Sequence, residues 1–329
     1  MKFSTEVQLP NYPFGINYES TIFSIGSCFS DHVGNRLKRL KFNSLSNPAG
    51  VIFNPISICT LLDMALNQKA PLEERIIHRD GLFFHFDYHS SIYGTSKEEL
   101  MNKINQVNEL IRNQLVQSDI CIITLGTAWV YEKDDQVVAN CHKIQTKDFK
   151  RRLLGLEEMQ NAFKALHKDL MAINPDFQLI LTVSPIRHWK DGASNNQVSK
   201  SLLHIVRHQL CHEFKNAHYF PSYELLMDEL RDYRFYKKDL LHPTEIAFEH
   251  IWDKFSRALF SQSAKLKSTA INKILIGLEH KVLFPESDSH LKHLIHLRQE
   301  ILKLQEGDEG ILKKEMDLLE KRIHLKKEV

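Results

Sequence analysis

Three apolar runs of strand length dominate what this chain can become: TIFSI from Thr21, DICIITLG from Asp119 and QLILTVSP from Gln178, each ending in turn-forming residues. Runs that stay apolar instead of alternating belong to strands covered on both faces. AHYFPS from Ala217 is a shorter fourth candidate. Between them the apolar spacing is helical over Asp31 to Leu40, Pro55 to Asn67, Lys97 to Gln117, Leu156 to Ile173 and Gln197 to Phe214. Strand and helix therefore alternate as in βαβ construction, which predicts an open, mostly parallel sheet in a three-layer α/β/α domain.

Two segments interrupt the alternation. The aromatic, histidine-rich RIIHRDGLFFHFDYHSSIYG begins at Arg75, and WVYEKDDQVVANCHKI begins at Trp129. The second reads as a hairpin turning at Asp134 and Asp135. Past Ser261 the pattern becomes long charged helix, with Leu291, Leu294, Leu297, Ile301 and Leu304 in heptad-like register, a GDEG break at Gly307, then Leu312, Met316, Leu319 and Ile323. The chain thus divides into residues 1–261, the α/β domain, and residues 262–329, an appended helical hairpin. A short charged hairpin buries too little apolar surface to stand alone, so it either folds back on its own domain or forms a homodimer through the C-terminal helices. Lys313, Lys314, Glu315, Glu320, Lys321 and Arg322 read as its solvated face.

Charge excludes some partners. Forty-three basic residues against 41 acidic ones leave a formal charge of +2, so no global field favours nucleic acid or an anionic membrane. The five cysteines are scattered, with no CxxC pair, and read as reduced thiols. Glu6 and two prolines interrupt the N-terminal segment where an export signal needs an apolar core, and the apolar runs are too short to span a bilayer. The expected location is cytoplasmic.

Ligands of open α/β sheets collect at the carboxyl ends of the strands, where Ser27 stands in FSIGSCFSDHVGNRLKRL. A serine at a strand-to-helix turn either caps the helix or presents a nucleophilic hydroxyl beside backbone N–H groups. Far along the chain, YKKDLLHPTEIAFEHIW sets Asp239 three residues before His242 at the start of a helix. At that spacing the carboxylate can hold the imidazole with one nitrogen facing outward, although a histidine in such a place is also an ordinary surface residue. Ser27, Asp239 and His242 together are the parts of an acyl-transfer triad. Arg187 and His188 follow the third apolar run, where they either orient a polar or anionic substrate group or, for Arg187, pair with a structural carboxylate. Cys28 competes with Ser27 as nucleophile, but its side chain is expected to point into the core. His78, His85 and His89 lie among aromatics, which argues for a packed insertion and against a metal site.

GSCFS at Gly26 resembles the signature of the GSCFA-domain family, similar to the SGNH/GDSL hydrolases, with Ser30 in place of alanine. NPAGVIFNP from Asn47, TLGTAWVY from Thr124, TVSPIRHWKDG from Thr182 and DLLHP from Asp239 fit the same family in the same order, so the resemblance runs from about Phe3 to Ser261. It implies a flavodoxin-like fold, Ser27 as nucleophile, His242 as general base and Asp239 as its orienting partner, with the backbone N–H groups of Ser27 and Gly50 as oxyanion donors. GTAW places Ala128 where many SGNH enzymes carry an oxyanion-hole asparagine, which leaves Asn47 or Thr127 as the third donor, or a site with two. The implied activity is that of a serine hydrolase cleaving an O-acyl ester on a small or carbohydrate carrier, with no cofactor. The competing expectation is a binding or scaffold protein that keeps the fold and works through its helical tail.

Overall fold

The computed structural model describes residues 5–307 and 310–327, with side chains through residue 324. Phe3, where the resemblance begins, Asp308 and Glu309 of the GDEG break, and Val329 lie outside the described residues.

The chain opens with β1 (Thr21–Gly26), α1 (Cys28–Arg39), β2 (Asn43–Ser46) and α2 (Pro55–Leu66), followed by a hairpin of β3 (Ile76–Arg79) and β4 (Leu82–His85). After α3 (Lys97–Gln117) and β5 (Ile120–Leu125) comes an antiparallel insertion of β6 (Trp129–Lys133), β7 (Gln136–Val138) and β8 (Lys150–Leu153). Then follow α4 (Leu156–Ile173), β9 (Gln178–Val183), α5 (Gly192–Glu213), β10 (Ala217–Tyr219), the single turn α6 (Ser222–Glu224) and α7 (Glu245–Leu259). Three more helices, α8 (Gln262–Glu279), α9 (Asp288–Gln305) and α10 (Lys313–Lys327), complete the described chain.

The five main strands pair in the order β10-β9-β5-β1-β2, all parallel, which is the flavodoxin-like arrangement. Side-chain alternation sorts the sheet into two cores. Phe23, Ile25, Cys121, Ile123, Leu179 and Leu181 pack against α2 to α5, and Ile22, Ile120, Ile122 and Ile180 pack against α1 and α7. The predicted strand β10 and the hairpin turn at Asp134 and Asp135 are present, both aspartates taking the positive φ that such a two-residue turn requires. The polar edge strand β2, NSLS, carries no apolar run and its sequence gave no signal.

The C-terminal helices join the second core. Leu275 and Leu278 of α8, Leu294, Leu297 and Ile301 of α9, and Met316 and Leu319 of α10 are buried in one cluster with Phe29, Ile251 and Phe255. The heptad leucines thus find their partner within the chain, and the extension is three helices, not a hairpin alone. Arg39 bonds Glu279 at 2.5 and 2.7 Å, and Lys41 meets Glu315 at 2.5 Å. Glu315 and Arg322, expected on the solvated face, are in fact half-buried, and Arg322 donates to Leu278 O at 3.0 Å. Among the described residues no helix is long and apolar enough to cross a membrane. Because Leu297 of α9 is buried against Gly277 of α8, Leu297→Ala is expected to lower unfolding free energy by about 2–5 kcal/mol in a urea titration followed by circular dichroism. An unchanged midpoint would mean that the extension contributes nothing to the fold.

Candidate active site

Ser27 begins where β1 ends. Gly26 has φ +139°, and a Cβ there would lie 2.2 Å from Thr124 O, so only glycine lets β1 leave the sheet so close to β5. Gly26 N donates to Asn47 Oδ1 at 2.8 Å, Ser27 N to Thr124 O at 3.1 Å, and Ile52 N to Gly26 O at 3.0 Å. Ser27 itself is extended and caps α1, its Oγ accepting from Phe29 N at 3.3 Å. The capping role is therefore real. It does not exhaust the hydroxyl, whose hydrogen reaches no acceptor among the described residues, and the N-terminus of α1 favours negative charge at this point. Ser27 is only 1% exposed. Cys28 is half-buried, and burial together with the nearby Asp31 pushes its thiol up, away from a reactive thiolate.

Asp239 and His242 form the expected pair. They sit in the turn before α7, which Thr244 caps from its Oγ, and Leu240 takes φ +59° to close it. Asp239 Oδ1 accepts from Leu241 N at 3.0 Å and His242 N at 2.9 Å, while Oδ2 lies 2.7 Å from His242 Nδ1. The backbone N–H of His242, then that of Leu241, then the imidazole hold the carboxyl down to about 2. With Nδ1–H donated to a carboxylate, Nε2 is the nitrogen left to act as a base. The pair is about half exposed. A charge on His242 bears on His32 of α1 and on His188 beyond β9, lowering both. No hydrogen bond joins Ser27 Oγ to His242.

The expected oxyanion donors are occupied. Gly50, at φ +80° with His89 packed where a Cβ would go, donates its N–H to Asn47 O at 2.8 Å. Asn47 gives Nδ2 to Asp31 Oδ1 at 2.6 Å, and Thr127 Oγ1 accepts from Trp129 N at 3.0 Å and lies 3.1 Å from Ser199 Oγ. An oxyanion beside Ser27 competes with these bonds and with Thr124 O for its donors. Burial, then the charges of Lys200, Arg151 and His242, draw His188 down to about 4, toward the neutral imidazole. Arg187 pairs with no carboxylate among the described residues. It walls a cavity of about 650 Å3 that Asp239, Tyr223, Tyr236 and Trp189 also line.

Sequence reasoning missed Lys200. It is fully buried on α5, and Nζ donates to Gly126 O and Ser184 O, both at 2.7 Å, tying together the chain just after β5 and just after β9. The signal was available: Lys200 shares its helix face with Leu203, which is buried.

A family model for the GSCFA family matches residues 21–255. The chain belongs to the GSCFA family. No curated protein matches it. Among solved structures, one described as "a putative platelet activating factor from Streptococcus pneumonia" matches 74% of this chain and 85% of that chain, at 11% identity and a TM-score of 0.39. In this GSCFA protein Ser30, standing where the signature has alanine, turns its Oγ to Thr124 Oγ1 at 2.8 Å and adds a second tie between α1 and β5.

Burial lowers Lys200 from 10.5 to about 7. Between those values the unfolded chain holds a proton that the native state does not, so this group makes stability rise with pH from about 7 upward. Urea midpoints at pH about 7 and about 9.5 should show the wild type gaining stability relative to Lys200→Met. Parallel changes in both proteins would place the titration elsewhere.

Proposed function

We propose that this GSCFA protein is a serine ester hydrolase in which Ser27 is the nucleophile, His242 the general base and Asp239 the residue that orients it. The observation that supports the reading is the 2.7 Å bond from His242 Nδ1 to Asp239 Oδ2, which leaves Nε2 available as a base, together with the Ser27 hydroxyl at the start of α1. His242 Nε2 takes the Ser27 proton as Oγ attacks the acyl carbonyl, and the resulting oxyanion is held at the α1 N-terminus and the adjoining backbone. The alcohol leaves with the proton from imidazolium. Water, deprotonated by His242, then releases the acid from the acyl-serine and restores the hydroxyl. For the first transfer the exposed Asp239–His242 turn must close onto Ser27, a movement of a loop end of the kind common in enzymes.

A second reading has its own support. Ser27 is 1% exposed, its Oγ is engaged by Phe29 N, and the expected oxyanion donors, Ser27 N and Gly50 N, are bonded within the chain, as in a binding protein that keeps the fold without turnover. Turnover of short-chain acyl esters by purified protein separates the two. The hydrolase reading expects kcat/KM to fall by about 10³-fold or more in Ser27→Ala and in His242→Ala, with the double variant no worse than either. Absence of turnover would favour the binding protein, and activity unchanged in Ser27→Ala would overturn Ser27 as the nucleophile.

A further inference from the structure

We infer that the cavity beside Asp239 receives the alcohol part of the substrate, and that Arg187 fits it to a saccharide bearing a carboxylate. The inference deepens the hydrolase reading and rests on it for the word substrate. The binding site itself does not.

Most arginines partly or fully withdrawn from water have a carboxylate partner, whereas Arg187, like Arg112 and Arg322, has none among the described residues. Arg75 meets Asp87, Arg151 meets Asp191, Arg152 meets Glu132 and Glu158, and Arg207 lies 3.8 Å from Glu224. Arg187 has only Met227 Sδ at 3.8 Å and the Trp189 ring, whose centre is 5.8 Å from the guanidinium carbon. A half-buried guanidinium has lost part of its hydration and here has no anion in return, so a ligand carboxylate gains two parallel charge-assisted hydrogen bonds at little further desolvation cost. A carboxylate matches the planar fork of this side chain.

The rest of the cavity suits a sugar ring. Its volume of about 650 Å3 lies within the range of small-molecule sites. The Tyr236 hydroxyl has only Met227 Sδ, at 3.6 Å, and that of Tyr223 bonds to no described residue, so two hydroxyls are left for ligand oxygens. Trp189 is 48% exposed and Tyr233 76%, offering flat apolar faces at the wall for the C–H face of a pyranose. Asp228 adds an acceptor for sugar hydroxyls. Asp239 belongs to the same wall and bonds His242, so the cavity adjoins the proposed base.

Calorimetric titration of the wild-type protein with glucuronate, glucose and glucose 6-phosphate tests the assignment without any ester chemistry, so a failure of the Ser27 mechanism leaves this result readable. Glucuronate is expected to bind about tenfold or more tighter than glucose and tighter than the phosphate ester, with Arg187→Gln abolishing the preference and Arg187→Lys keeping part of it. Equal affinity for glucuronate and glucose, a preference that survives Arg187→Gln, or tighter binding of the phosphate would overturn it.

Discussion

The close approach of β1 to β5 at Gly26 is the constraint from which the rest of the site follows. With φ +139° and no side chain, Gly26 brings its backbone to within a space that the Thr124 carbonyl would otherwise block, and Ser27 N can then bond Thr124 O. That bond fixes where α1 starts, hence where the Ser27 hydroxyl and the helix N-terminus lie. Asn47 secures the same corner from β2 by bonding Gly26 N and Asp31 together. Two strand ends and a helix start are thereby locked by backbone geometry and by the Asn47 side chain.

Electrostatics then divides the rim into neutral and charged sectors. His188 and Lys200 are both shifted toward their neutral forms by burial, His188 to about 4 and Lys200 to about 7. Lys200 nevertheless keeps two carbonyl oxygens at 2.7 Å, so it braces the Gly126 and Ser184 turns in either protonation state. Asp239 remains ionised down to about 2 because backbone N–H groups bond it directly. Its stabilising bonds are complete above the unfolded value of 3.8 and fade as pH falls toward 2. The lasting charges facing the cavity are consequently those of Arg187, Arg231 and the acidic groups on its wall, and Arg187 is the one drawn out of solvent without a counter-charge.

Much of this was legible because it rests on local patterns. Continuous apolar runs disclosed β1, β5 and β9, and the bounds of α3 and α4 follow directly from helical spacing. The i, i+3 carboxylate and imidazole gave the Asp239–His242 bond, which depends on one turn of chain. What could not be read depends on contacts between distant segments. β2 pairs through its backbone and carries no hydrophobic signature, and β8 joins the Trp129 hairpin across a long connection. The occupied donor of Ser27 is set by Thr124, which only the folded sheet brings near, whereas Gly50 N closes a local turn onto Asn47 O. The tail shows the same limit: its spacing demanded an apolar partner, and only packing reveals that α1, α7 and α8 supply it.

The central claim is that the hydroxyl at the end of β1 is a nucleophile and not merely a helix cap. Its most direct test is to react the folded protein with a fluorophosphonate and map the adduct by peptide mass spectrometry. The account predicts phosphonylation confined to Ser27, lost on heat unfolding and slowed by about 10²-fold or more in His242→Ala. A modification that falls on Cys28 or Lys200, or a protein that stays unmodified while a known serine hydrolase reacts under the same conditions, would contradict it.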